Sequence, residues 1–270
     1  MHGLSKDWLK LDPDQQATLQ EHLTITGISQ NYFGDPYNKA NQSADVPDAE
    51  NTSVWITNLP PDCDHRMLLG AVRGCGKIYA CVVNPPTNKV GSNAKVAHQR
   101  PHMTAAAKVV FFDRAGVNAL FSQVAKGEFK VGGFVPRVCL NRIRSAARPY
   151  GAQCRVLHIE GPTCIVNTEF LFHYFCTKFT FELEDVLTLG TVSVTTHPVS
   201  DARNPPVTAA ANITSLPRAR QEWRFGSYRC QAEAARQCIY REKYNVHLSE
   251  FARALWQQVS VHFGVDPCAP

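Results

Sequence analysis

The strongest constraint on this chain is the order of short apolar segments between about residues 52 and 148, which switch repeatedly between two periods. Val54-Trp55-Ile56-Thr57-Asn58-Leu59 alternates with period 2 and stops at Pro60-Pro61, as a half-buried strand does. Asp62 or Asp64 then stands where a helix N-cap belongs. Met67, Leu68 and Val72 share one face of that helix, and Gly74-Cys75-Gly76 closes it. Ile78 to Val83 is a second strand, ended by Pro85-Pro86. A polar, basic loop runs to about Met103, and Lys108 to Phe112 is a third strand. Asp113 caps a helix carrying Val117, Leu120 and Val124, Gly127 ends it, and Val138 to Ile143 is a fourth strand. The order of elements is thus βαββαβ, an α+β pattern.

Residues 153–267 read as a diverged copy of the same unit. Arg155 to Pro162 is a strand, and Asn167 or Thr168 caps a helix holding Phe170, Leu171, Tyr174 and Phe175. Asp185 to Thr191 is the second strand, and Glu222 to Tyr228 resembles a third. A helix follows from Gln231 to Ile239, and Gln258 to Gly264 closes the sheet. Leu248 to Gln257 is an additional helix. A Pro/Ala/Thr-rich insert near 195–217 reads as a disordered loop. Residues 1–50 read as an acidic, largely flexible tail with a short helix over Gln15 to Leu23, where Asp12-Pro13-Asp14 supplies an N-cap and a first-turn proline. The expected organisation is therefore a tail, a first domain at 52–148 and a second at 153–267.

Charge separates these regions. Residues 1–50 carry three lysines against eight acids, a net of −5. Residues 51–150 carry fourteen Lys/Arg against four acids, a net of +10, and residues 151–270 balance at zero. A compact module at +10 attracts polyanions, although a basic domain without a nucleic-acid partner has the same charge. The tail either folds back over the basic module in competition with such a partner or runs as a solvated linker. The ten cysteines form no C-x-x-C pair and no His pair completes a zinc pattern, so they read as scattered buried thiols of a reducing compartment. No apolar signal segment opens the sequence and no window approaches 18 continuous apolar residues. An intracellular location, nuclear or cytoplasmic, is expected, with no membrane association.

In residues and in order, 52–148 resembles the RNA-recognition-motif (RRM) family, whose fold is the ferredoxin-like βαββαβ sandwich. The first strand matches the family's RNP2 hexamer, an aliphatic–aromatic–aliphatic–x–Asn–Leu pattern, at Val54 to Leu59, and Phe112-Asp113-Arg114-Ala115 fits the opening of the second helix. The family's fold puts Val54, Ile56 and Leu59 in the core and Trp55 on the open face. There the ring either stacks on a base or packs under a loop or neighbouring domain. The RNP1 octamer departs from the family. Its counterpart is Thr104-Ala105-Ala106-Ala107-Lys108-Val109-Val110-Phe111, with Ala106 and Lys108 at the two positions that normally carry exposed rings. Lys108 can instead meet a phosphate or a base acceptor, and weaker affinity than that of a full-motif RRM is expected.

The resemblance implies single-stranded RNA as partner. The candidate contacts are Trp55, Thr57, Asn58 and Lys108, the loop residues Lys95 and Arg100, and Arg137, Asn141, Arg142 and Arg144 at the fourth strand. The rival is a protein-interaction adaptor on degenerate RRM folds, with the second domain as its binding surface. In the RRM subgroup that binds tryptophan-bearing peptides, an Arg-x-Phe motif precedes the last strand. Here Lys126-Gly127-Glu128-Phe129-Lys130 lacks the arginine. His158 sits at the open-face position of the second domain's first strand and reads as an ordinary strand residue. No G-x-S-x-G, H-E-x-x-H, Walker A or G-x-G-x-x-G pattern is present, so no catalytic residue, cofactor or metal is expected.

Overall fold

A computed structural model describes residues 12–25, 37, 42–86, 103–192 and 216–270. Lys95, Arg100 and most of the 195–217 insert lie outside the described residues. Among those described, no helix is long and apolar enough to cross a membrane.

In the tail, helix α1 spans Pro13–Ile25. Asp12 starts it with a reciprocal cap: its Oδ1 accepts the Gln15 N–H at 2.8 Å, and Gln15 Oε1 accepts the Asp12 N–H at 3.3 Å. The first sheet comes from β1 (Ser53–Leu59), β2 (Ile78–Asn84), β3 (Ala105–Phe111) and β4 (Arg137–Leu140), with helices α2 (His65–Ala71) and α3 (Arg114–Ala125) between them. The strand order is β2-β3-β1-β4, and β1 pairs antiparallel with both β3 and β4. The second sheet repeats this order as β6-β7-β5-β8, from β5 (Val156–Pro162), β6 (Leu183–Val192), β7 (Arg218–Phe225) and β8 (Ser260–Phe263). Its helices are α4 (Thr168–Cys176), α5 (Glu233–Lys243) and the additional α6 (Glu250–Gln257). The chain is thus an α+β protein with two RRM-like sheets in tandem. By contacts it divides into two compact units, 1–63 with 82–149 and 64–81 with 150–270.

The core follows from alternation. On β1, Val54 and Ile56 are fully buried, and so is Leu59, although strict period 2 would send Leu59 to the other face. The extra residue is Asn58, held at φ 60° where the β1–β3 register shifts between Ile56 and Leu59. This bulge returns Leu59 to the core. In the first unit, Asp113 caps α3 by accepting the Gly116 N–H at 3.1 Å. Gly116 is there because a Cβ would come within 2.5–2.9 Å of the Phe111 side chain. Gly116→Ala gains helix propensity of about 1 kcal/mol but overpacks a closed core at a cost of about 1–3 kcal/mol. A net loss is expected, read as a lower urea midpoint; an unchanged or raised midpoint would contradict this packing.

The second unit packs an aromatic core: Phe175 lies edge-on to Trp223 at 5.4 Å, with Phe225 and Phe181 beside them. It also buries charge. Arg155 is fully buried; Nη1 lies 2.5 Å from Glu184 Oε2 and Nε 3.0 Å from Asp266 Oδ1. Arg73 pairs with the other oxygen of Glu184. Asp266 also accepts the backbone N–H groups of Ile78 at 2.9 Å and Cys268 at 3.0 Å. Arg155, Glu184 and Asp266 pair their charges in the buried interior, while Arg73 reaches Glu184 from a partly exposed position.

Several boundaries differ from the sequence expectation, each for a local reason. β3 begins at Ala105 rather than Lys108, because pairing of Ala105 with Leu59 and of Ala107 with Ile56 recruits three alanines of low strand propensity. β4 ends at Leu140 rather than Ile143, because Asn141 Oδ1 accepts the Ile143 N–H at 3.2 Å and turns the chain. β7 runs from Arg218 to Phe225, earlier than Glu222 to Tyr228. Its inward residues are Ala219, Gln221, Trp223 and Phe225, while arginines alternate outward. The helix expected from Gln231 starts at Glu233, after a kink in which Cys230 takes φ 60°. The thiols are not uniformly buried: Cys139, Cys164, Cys176 and Cys230 are exposed, at strand-face, loop and helix-surface positions.

Candidate nucleic-acid interface

The open face of the first sheet is built by the same alternation that fills the core. Trp55 faces Lys108 across the β1–β3 ladder and Cys139 across the β1–β4 ladder, and Thr57 faces Arg137. Directly opposed residues hold their Cβ atoms about 4.5–5.5 Å apart, so these five side chains form one continuous patch on β3, β1 and β4. Trp55, Thr57 and Lys108 are half-buried; Arg137 and Cys139 are exposed. The Cys139 thiol donates to the Trp55 carbonyl at 3.7 Å. Ala106, two residues before Lys108, leaves the β3 side of the patch without a ring.

The remaining candidates separate by their bonding. Asn58 is exposed and donates from Nδ2 to the Val135 carbonyl at 2.9 Å, fastening the bulge to the segment that enters β4. Asn141 is occupied structurally: Nδ2 donates to Ser53 Oγ at 3.0 Å, Oδ1 holds the turn, and the carbonyl accepts from Asn51 Nδ2 at 2.9 Å. Arg144 is held by the tail. Its Nε lies 3.0 Å from Asp48 Oδ1, and Nη1 donates to the Val46 carbonyl at 3.0 Å. Arg114 donates to the Asp48 and Asn51 carbonyls at 2.6 and 2.8 Å. Residues 43–52 thus lie against the basic segment, and Arg142, after β4, is exposed.

The second sheet presents a different open face. His158 takes the position on β5 that Trp55 takes on β1, opposite Glu222 and His262. Its Nε2 is 2.8 Å from Glu222 Oε2, its Nδ1 is 3.3 Å from Arg220, and its ring meets His262 edge-on at 5.3 Å. Arg224 donates to Glu222 Oε1 at 2.6 Å, and Arg218 pairs with Glu160 at 3.4 Å. Burial acts to raise the Glu222 carboxyl, but hydrogen bonds from His158 and Arg224 outweigh it and hold the group below its ordinary value. This face pairs its own charges. Burial pushes the thiols of Cys75, Cys154 and Cys268 up to about 11, so they stay protonated at neutral pH.

Reading the sequence alone missed Cys139 as the cross-strand neighbour of Trp55. It also missed the arginine row on β7. The signal for both was period-2 alternation, obscured in β7 by its polar residues.

No protein-family model matches this chain, and no curated protein matches it. Solved structures do match at low identity. An Sxl-lethal protein/RNA complex aligns at 16% identity over 79% of this chain and 99% of that one, with a TM-score of 0.21. The Sex-lethal RNA recognition domains 1 and 2 from Drosophila melanogaster align at 17% identity over 79% and 100%, with a TM-score of 0.21. The N-terminal three RNA-binding domains of the yeast splicing factor Prp24 align at 12% identity over 80% and 67%, with a TM-score of 0.23.

Proposed function

We propose that this chain binds single-stranded RNA across the open face of the first sheet. The observation that carries this reading is the Trp55 ring on the central strand's open face, with Lys108 and Cys139 beside it and Arg137 one step along. A ring on an open sheet face stacks an unpaired base, whereas an A-form duplex keeps its bases inside the helix. Lys108, Arg137 and Arg142 meet phosphates or base acceptors, and the +10 charge of residues 51–150 supplies the long-range attraction. With Ala106 where a second ring would stand, the β1 and β3 part of the site holds one stacked base, on Trp55.

The test is a titration of the full chain into labelled single-stranded RNA, followed by fluorescence anisotropy over a range of salt. Saturable binding is expected, with log K falling against log[salt] at a slope of about −2, as three phosphate contacts to a single strand give. Unlabelled single strands should compete better than duplex. Absence of binding at low salt, or equal competition by duplex, would remove the reading.

The second unit favours a different class of partner. Its open face is already paired in charge, while Phe170, Phe172 and Phe251 expose apolar area on α4 and α6, as a protein-docking surface does. Protein binding there should persist when Trp55 is replaced.

A further inference from the structure

The hairpin that leads into β4 extends the open face beyond the strand itself. Val131 and Phe134 pair as an isolated bridge, with N–H···O distances of 3.0 and 2.9 Å in the two directions. Gly132 and Gly133 turn the tip at φ 52° and 81°, conformations that side chains other than glycine rarely take. The segment after the tip is fixed to β1 by the Asn58–Val135 hydrogen bond at 2.9 Å. Exposure then alternates along it: Val135 exposed, Pro136 buried, Arg137 exposed, Val138 half-buried, Cys139 exposed. Val135 therefore shares the face of Arg137 and Cys139. Phe134 is 37% exposed and Val135 61%, and both are large apolar side chains in a region of basic charge.

We infer that Phe134 and Val135 form a second base-contacting platform, which displaces the site from the β3 side of the sheet to the β4 side. This rests on the RNA reading above and names which part of the strand is gripped. The occupant follows from chemistry and continuity. A purely apolar protein segment would have to cross Arg137, which sits between Val135 and Cys139 on the same face. A single-stranded nucleic acid offers a base to Trp55, a phosphate to Arg137 and a second base to Val135 and Phe134. From the level of Trp55 to that of Val135 is four strand residues, about 13 Å, enough to separate two bases with a phosphate between them. The Ala106 position on β3 offers no such contact, so the missing ring of one side is replaced by apolar area on the other.

The experiment uses the full chain and labelled single-stranded RNA, comparing wild type with Phe134→Ala, Phe134→Tyr, Val135→Ser and Trp55→Ala. Phe134→Ala should weaken binding about five-fold or more, Val135→Ser should weaken it less, and Phe134→Tyr should restore it, all with unchanged denaturation midpoints. RNA carrying a photoreactive thiouridine should also label the wild-type peptide spanning Val131 to Arg137, a readout independent of how any variant folds. Full affinity in Phe134→Ala, with Trp55→Ala impaired and labelling confined to the Trp55 peptide, would overturn the extension and leave the RNA reading standing. No binding by the wild-type chain would overturn both.

Discussion

Replacing Arg155 with methionine is expected to lower the stability of the chain by about 3–5 kcal/mol, the largest single effect this structure implies. Arg155 is fully buried between Glu184 and Asp266, and it also donates to the Phe225 carbonyl at 3.0 Å. Methionine fills comparable volume but leaves Asp266, itself buried, without its cation. Glu184 retains Arg73, so the damage concentrates at Asp266 and at the backbone N–H groups of Ile78 and Cys268 that it accepts. The double variant Arg155→Met with Asp266→Leu removes the carboxylate left unpaired and should recover part of the loss, the remainder reflecting the Ile78 and Cys268 N–H groups that lose their acceptor. Urea unfolding of both variants decides the matter. A shift below about 1 kcal/mol in the single variant would mean that water reaches these groups, contrary to their burial.

Trp55→Ala is the second large effect, and it concerns binding rather than folding. One aromatic stack with a base contributes about 1–3 kcal/mol, so Kd for single-stranded RNA should rise between about five-fold and 150-fold. Trp55 is half-buried on the open face, while the core beneath it is held by Val54, Ile56 and Leu59; the denaturation midpoint should move little. The slope of log K against log[salt] should stay as in wild type, because no phosphate contact is removed. Lys108→Ala should instead flatten that slope by about 0.7 while weakening binding uniformly across sequences. Equal affinity in Trp55→Ala and wild type would mean that the ring serves packing alone, and the proposed site would be abandoned.

Much of the fold was legible in the sequence because alternation and capping are local. Val54 and Ile56 declare β1, Asp113 declares the start of α3 and caps it, and of the two candidates Asp62 and Asp64 for the start of α2 it is Asp64 that caps, its Oδ1 accepting the Met67 N–H at 2.7 Å. The start of β3 was not legible, since three alanines carry no strand preference and are drawn in by their partners on β1. The bulge at Asn58 was hidden as well: asparagine tolerates a left-handed backbone, but it does so in a minority of its positions, and Leu59 could not otherwise be buried. The candidate site was read less completely. Trp55, Thr57, Lys108 and Arg137 do share one face, but Asn141 and Arg144 are engaged by partners some ninety to a hundred positions away in sequence, beyond any local pattern. The affiliation of residues 64–81 with the second unit depends on charges as distant as Asp266, which a scan by periodicity does not weigh.

The clasp between residues 43–52 and the segment after β4 alters what the acidic tail is. Ala44 donates to the Arg144 carbonyl at 3.0 Å, Arg144 donates to Ser43 Oγ at 3.1 Å, and Thr52 donates to the Ser145 carbonyl at 2.9 Å. Those bonds occupy backbone groups of the segment after β4 within the first unit. A shortened chain beginning at Thr52 would lose eight of its 23 acidic residues and, in the same cut, the groups that hold Arg144. Residues 43–52 are thus tied into the first unit by hydrogen bonds and an ion pair.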